Sequence, residues 1–369
     1  MNAFILAGGK GTRLQPLTQT RPKPLVPLVD QPIVDAILWH LRAEGFDHVT
    51  MLLGHRGREL ERYGGTGERW HISLRYHYDP EPLGTAGSLI HALAAHPLRE
   101  PFLVVSGDGL TDLNLAAFYH QCQEQHAQAG ILLAAVDDVR PYGVVETDSK
   151  GRVVDFLEKP DHHIDGAWVN TGIYFFDPRL LETVKTRGPL DFGRELFPRW
   201  VIERRRIIGV RQSGYWSDVG TLAQYRRAMR DLMQGRVRLV GTPASGSPPV
   251  VDPRVNVIPP VVVDARAVVE PEATLGPYAI IGPGAYIGRH AVIDQSIVRE
   301  GARIGARACL RGAVVAMGSE VGRDARLDDG VVIGEHSWVE PQAHLATGTL
   351  LTAGAVWSAP VEPSVGHAS

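Results

Sequence analysis

The chain has 369 residues, room for two domains and at least one large core. A formal net charge of −3 and an isoelectric point near 6.6 leave no basic surface to argue for nucleic acid, and the Arg204-Arg205-Arg206 run reads as a solvated edge. No apolar stretch approaches the ~20 residues that span a bilayer, and two distant cysteines, Cys122 and Cys309, suit a reducing compartment without a disulfide framework.

The chain opens directly into an apolar run, Phe4-Ile5-Leu6-Ala7, short enough for a buried first strand and lacking a leader-like segment, so a cytoplasmic location is expected. Gly8-Gly9-Lys10-Gly11-Thr12-Arg13-Leu14 follows, with Pro22-Lys23-Pro24 beyond it. Glycines let a large group lie against the main chain, and successive amides in such a turn form an anion-binding concavity. Arg13 and Lys23 add the fixed positive charge a triphosphate needs. The pattern is neither Walker, since Gly11 precedes Thr12-Arg13 rather than Lys-Ser/Thr, nor dinucleotide-binding, since Leu14 stands where the third glycine belongs.

Helical spacing of Ile33, Ile37, Leu38 and Leu41 predicts a helix over 32–44, ended by Gly45, and 49–53 reads as a buried strand. A polar helix near 58–63, a strand at 72–76, a helix at 88–95 and a strand at 102–105 continue the alternation. A helix over 115–128 and a strand at 131–136 follow. Strands alternating with helices predict a doubly wound, mostly parallel α/β sheet. Ligands of such sheets sit off the carboxyl ends of the strands. Both the 8–13 loop and Asp108 fall there. Asp108 follows four apolar residues and a Ser-Gly turn, a placement from which a carboxylate can reach a cleft and hold a hard cation; Asp112 is expected to serve the turn.

Leu-Ala-Gly-Gly-x-Gly-Thr-Arg-Leu-x-Pro-Leu-Thr over 6–18, with Pro-Lys-Pro-Leu at 22–25, resembles the signature of the sugar-1-phosphate nucleotidyltransferases, the NDP-sugar pyrophosphorylases. Phe156-Leu157-Glu158-Lys159-Pro160, Val169-Asn170-Thr171-Gly172 and Trp216-Ser217-Asp218-Val219-Gly220 match further segments of that family. The resemblance implies a Rossmann-like catalytic domain over 1–240. The reaction it implies joins an NTP to a sugar 1-phosphate, giving NDP-sugar and pyrophosphate. Leu6, Ala7, Gly8, Gly9, Gly11, Thr12, Arg13 and Lys23 would hold the nucleotide. Pro82, Gly84 and Thr85, in a glycine-rich strand-to-helix segment, would lie over its base. Gly143, Glu158, Lys159, Asn170 and Thr171 would meet the sugar phosphate, and Asp108 and Asp218 would bind Mg²⁺. Arg13, Lys23, Asp108, Lys159 and Asp218 are the implied catalytic set. The wording of 82–87 is closer to guanylyltransferases acting on mannose 1-phosphate, making GTP and mannose 1-phosphate the expected pair. Glucose 1-phosphate with UTP, ATP or dTTP is the alternative. A catalytically silent sugar-nucleotide sensor is another, although the charged set is retained.

Residues 241–250 read as a Gly/Pro/Ser-rich linker. From 251 to 356, aliphatics recur every six positions, as Val263, Val269, Leu275, Ile281 and Ile287, often followed by a small residue. Such hexapeptides signal a parallel β-helix, and they resemble the left-handed kind; 357–369 form a tail. The count slips by one at Val298 and at Val315, which suggests one locally shortened coil. His290, His336 and His344 are acyltransfer candidates without obvious partners, and an assembly role in a homo-oligomer, or a regulatory one, is the favoured expectation.

Overall fold

The computed structural model describes residues 1–29, 31–185, 188–237, 239–240 and 251–358. The expected linker and nearly all of the expected tail, 359–369, lie outside the described residues. Two compact units emerge. The first draws on residues 1–11, 22–228 and 236–240, the second on 12–21, 229–235 and 251–358. Among the described residues, no helix is long and apolar enough to cross a membrane.

The first unit runs β1 (Asn2–Ala7), α1 (Ile33–Ala43), β2 (His48–Leu53), α2 (Gly57–Gly64), β3 (Ser73–Tyr78), α3 (Gly84–Ala95), β4 (Phe102–Ser106), β5 (Gly109–Thr111) and α4 (Leu115–Glu124). It continues with β6 (Ala129–Ala135), β7 (Gly143–Thr147), β8 (Val153–Glu158), β9 (Trp168–Phe176), α5 (Pro178–Glu182), α6 (Phe197–Ile202), β10 (Ile207–Arg211), β11 (Trp216–Asp218) and α7 (Leu222–Met233), whose residues from Met229 on belong to the second unit. The main sheet has the order β10-β6-β9-β4-β1-β2-β3, with the β7/β8 hairpin joined through β9. β1 is parallel to both β2 and β4, so Ile5 lies between Met51 and Val105, and all three side chains are buried. β9 alone on that path runs antiparallel to its neighbours β4 and β6. The result is a mixed, mostly parallel sheet whose central strands are apolar on both faces because helices cover both.

α4 is shorter than the 115–128 pattern suggests. His126 takes a left-handed φ of 50° and Ala127 N–H donates back to Cys122 O at 2.9 Å, which ends the helix while Ala127 stays buried. Its start is fixed by Asn114, whose Oδ1 accepts from Ala117 N at 2.7 Å. Away from the loop edge, Phe176 stacks with both Phe192 and Phe197, centroids 5.1 and 6.4 Å away, those two rings lie 6.0 Å from each other, and Trp200 closes the cluster edge-on. These rings form a rigid floor under the central strands.

In the second unit three parallel six-stranded sheets line a triangular coil, a parallel β-helix consistent with the left-handed kind. Leu275, Ile281, Ile287, Ile293, Ile304, Leu310 and Ile333 point inward and are buried. Glycine follows the inward aliphatic because the coils stack backbone on backbone: a Cβ on Gly288 would sit 2.6 Å from Ala306 N, and one on Gly305 2.5 Å from Arg323 N.

The slipped register belongs to two consecutive coils, rather than to one. Val261 pairs with Ala279 eighteen residues on, but Ile280 pairs with Ile297 and Ile297 with Val314, each seventeen on, before Val314 to Val332 restores eighteen. Both losses fall at the same corner. There the fully buried Ser296 donates to Asp294 O at 2.7 Å and accepts from Ala313 N at 3.0 Å, bridging the two consecutive coils. The expectation that the candidate histidines lack partners fails for two of them. His290 faces Glu272 at 3.0 Å, and His344 meets Asp328 at 2.7 Å.

Candidate active site

The site of the first unit is built at the carboxyl edge of the sheet. β1 ends at Ala7 and the glycine loop begins there; β4, its parallel neighbour, ends at Ser106, and Gly107 N–H donates to Leu6 O at 3.0 Å. Asp108 therefore emerges beside the root of the loop. β11 pairs antiparallel with β5, setting Asp218 opposite Gly109, while Val219 N–H donates to Asp108 O at 3.0 Å. Two carboxylates 110 positions apart in the chain become neighbours through this two-stranded ribbon.

Lys23 is aimed at both. It opens a short turn, Lys23–Leu25, bracketed by Pro22 and Pro24, whose fixed φ angles pre-shape the backbone. The lysine is 9% exposed, its ammonium ion-pairs with the Asp108 carboxylate, and it lies 3.7 Å from Asp218 Oδ1. Ser106 Oγ also donates to Asp108. Tyr142 and Trp216 meet edge to face at 5.0 Å, and Tyr142 Oη accepts from Gln224 Nε2 at 2.9 Å. Burial, with the Asp218 charge second, pushes the Tyr142 phenol above its ordinary value. Behind Ser106 lies a cavity of about 20 Å³ lined by His40, Thr111 and Thr171 among others, space for a single water.

Thr12 and Arg13 are exposed and begin the turn Thr12–Leu14, whose Leu14 is buried; the turn belongs to the second unit. Within that unit the signature segment is anchored on the β-helix. Arg21 Nε donates to the buried Glu335 at 2.7 Å, and Gln19 Oε1 accepts from Ala353 N at 2.8 Å.

The 82–87 segment is pinned from its far side. Gly84 starts α3 at a φ of 75°, and Ala86 and Gly87 amides both donate to Leu190 O. The Thr85 amide and hydroxyl both donate to Asp191 Oδ1, at 3.1 and 2.8 Å. Thr85 thus shapes the loop with its side chain, while Pro82 is exposed.

At the β7/β8 hairpin, Glu158 ends β8 directly opposite Gly143 of β7. Burial holds the Glu158 carboxyl above its usual range, opposed by the nearby Lys159 and Arg194 charges. Lys159 adopts a φ of 49°, donates its amide to Tyr142 O at 3.1 Å, and keeps its side chain half exposed. Asn170 donates to Tyr174 Oη and accepts from Gly172 N, both at 2.9 Å. Thr171 departs from its expected role: its hydroxyl turns into the sheet and donates to Leu132 O at 2.7 Å, and the residue is 2% exposed, because strand alternation points it away from Asn170's face. Sequence reasoning missed Ser106, Tyr142 and Asp191. Ser106, two residues before a candidate metal Asp, carried the one signal that could have been followed.

An α/β sheet with a glycine loop, a buried lysine and two carboxylates at its carboxyl edge defines a protein that handles the phosphates of a nucleotide. A family model described as nucleotidyl transferase matches residues 2–235, and one described as GMPPB C-terminal domain matches 257–365. The chain belongs to the nucleotidyl transferase family, among the sugar-1-phosphate nucleotidyltransferases. It is 33% identical over 270 residues to a UTP–glucose-1-phosphate uridylyltransferase of Synechocystis, covering 70% of each chain. It is 31% identical over 236 residues to a mannose-1-phosphate guanylyltransferase of Mycobacterium tuberculosis, covering 64% of this chain and 65% of that one. With the mannose-1-phosphate guanylyltransferase catalytic subunit beta of Danio rerio, identity is 35% over 254 residues, 64% of this chain and 68% of the relative. The matched part thus spans about two thirds of these relatives, slightly less for the Mycobacterium protein. A Bacillus anthracis structure provisionally named a glucose-1-phosphate thymidylyltransferase superposes with a TM-score of 0.58 at 25% identity, over 66% of this chain and 98% of the other.

Proposed function

We propose that the chain joins GTP and mannose 1-phosphate to give GDP-mannose and pyrophosphate. The observation that carries the reaction type is Lys23 held between Asp108 and Asp218 beside the glycine loop. In-line attack by the sugar-phosphate oxygen on the α-phosphorus needs positioning and charge neutralisation more than a protein nucleophile. The loop amides of Gly8, Gly9 and Gly11 donate to the phosphate oxygens, with Leu6 and Ala7 setting the loop's origin. Lys23 balances charge gathering on the leaving pyrophosphate. Arg13, two residues past Gly11 in the chain, is assigned the same anion by the signature. Lys159 orients the attacking phosphate, while Glu158, Asn170 and the Gly143 backbone receive the sugar hydroxyls. Pro82, Gly84 and Thr85 shape the seat of the base.

The donor set fits a hard divalent cation, since Asp108 and Asp218 turn carboxylate oxygens toward one positive centre, as magnesium prefers. Bound there, Mg²⁺ supplies charge neutralisation of the triphosphate oxygens. The β-helix contributes to self-assembly or regulation, and the cytoplasm is the setting.

Support for GTP and mannose 1-phosphate comes from the wording of 82–87 and from the guanylyltransferases among the relatives. The Synechocystis relative supports a second pair, UTP and glucose 1-phosphate. Pyrophosphate release with Mg²⁺, crossing four NTPs with both sugar phosphates, separates them. A dominant GTP and mannose 1-phosphate signal, lost in Asp108→Asn, is expected. Dominance of another pair discards the substrate assignment, and silence across a wider sugar panel from folded protein discards the activity in favour of a sensor.

A further inference from the structure

Among the described residues outside the active site, one cluster of side chains has the composition and spacing of a metal centre. His77 and Asp79 lie two residues apart at the end of β3, and His91 projects from α3. Their donor atoms all fall within 4.8 Å of one another. His77 Nε2 lies 2.8 Å from His91 Nδ1, while Asp79 Oδ1 lies 3.9 Å from the first and 3.7 Å from the second. A tetrahedral zinc ion at 2.0–2.1 Å from each ligand requires donor separations of about 3.3 Å. The observed distances bracket that value, so small side-chain rotations would close the shell.

The polar accounting points the same way. Asp79 Oδ1 is buried and accepts no hydrogen bond among the described residues. A buried carboxylate oxygen without a partner costs stability, and a cation would satisfy it. His77 is 8% exposed, while the His91 side chain is 43% exposed. The buried side therefore supplies protein ligands, and the open side admits water as a fourth.

We propose that His77, Asp79 and His91 bind one zinc-class divalent cation. Two imidazoles and a carboxylate select a borderline ion such as Zn²⁺ over Mg²⁺ or Ca²⁺, which favour all-oxygen shells. The ion would tie the end of β3 to α3 across residues 80–90, fixing both ends of the stretch that contains Pro82, Gly84 and Thr85. The site stands whatever substrates the enzyme uses.

The test uses full-length protein without an affinity tag, stripped of metal and dialysed against Zn²⁺ in excess Mg²⁺, so that the carboxylates of Asp108 and Asp218 do not confuse the count. Retained zinc is measured by atomic absorption, and Co²⁺ loading reports tetrahedral coordination by its visible absorption. One retained equivalent is expected in the wild type, with affinity at least about tenfold weaker in His91→Gln and in Asp79→Asn. Both changes preserve size, and the first is on an open surface; circular dichroism identifies the folded variant on which the comparison rests. Zinc should also raise the melting temperature of the wild type and not of that variant. No retained zinc in the wild type, or equal retention in the folded variant, overturns the proposal.

Discussion

Replacing Lys23 with methionine keeps the length of the buried stem and removes the charge that Asp108 and Asp218 share. At the 3.7 Å separation from Asp218 Oδ1, one ion pair at an effective dielectric near 20 is worth about 4 kcal/mol before desolvation. The two carboxylates are 26% and 22% exposed, so solvent screens part of that gain, and the lysine's own desolvation offsets more. A net loss of about 2–3 kcal/mol follows, because two half-buried carboxylates are left facing each other's charge. For a unit of this size that lowers the melting temperature by roughly 5–10 °C. Millimolar Mg²⁺ should recover part of the loss in Lys23→Met and do little for the wild type, since the ion can take the place of the ammonium between the carboxylates. Turnover should fall by about 10²–10³, as for other lost electrostatic contacts to a transition state. Thermal scans with and without Mg²⁺ and a pyrophosphate-release assay read both effects. Turnover within about fivefold of wild type would refute the charge-balancing role, and an unchanged melting temperature would refute the electrostatic account of the site.

Gly84→Ala places a residue at a φ of 75° with its Cβ 2.6 Å from Leu190 O; the left-handed backbone and the displaced Leu190 backbone together cost about 3 kcal/mol. The NTP KM should rise more than kcat falls, whereas Gly9→Ala, with nothing within 4 Å of the new methyl, should leave the melting temperature unchanged. Glu158 titrates above its ordinary range because it is buried, so the folded protein binds that proton more tightly than the unfolded chain. Its contribution to stability is then present below the unfolded pKa and lost as pH rises through the folded one. In the proposed sugar site it is the ionised carboxylate that would accept from sugar hydroxyls, so the sugar-phosphate KM should climb as pH falls through this raised pKa, starting above the ~4.3 of an ordinary Glu. Glu158→Gln should flatten that limb of the profile; a KM profile identical to wild type removes Glu158 from the sugar site.

The sequence by itself determined the layers of this protein, because they rest on local periodicity. Apolar runs of strand length between helical patterns gave the α/β sheet, and aliphatics every sixth residue gave the β-helix, whose inward positions Leu275, Ile281 and Ile287 are all buried. The ordered motifs also named Lys23, Asp108 and Asp218, since their residue types and neighbours are local text. Tertiary structure alone decided which of these meet. Asp218 reaches Asp108 only because β11 pairs with β5 in one register, a nonlocal hydrogen-bond choice with no trace in either segment. Thr171 looked like its neighbour Asn170, but alternation across β9 turned its hydroxyl to Leu132. The two slips in the repeat could be counted from sequence, yet only stacking showed that they share one corner, closed by Ser296. The signature itself is divided: residues 8–11 fold with the sheet, while Thr12–Arg21 anchors on the β-helix through Arg21 and Glu335, 314 residues apart in the chain. Pairings at such separations are selected by the packing of whole units, which no window of sequence contains.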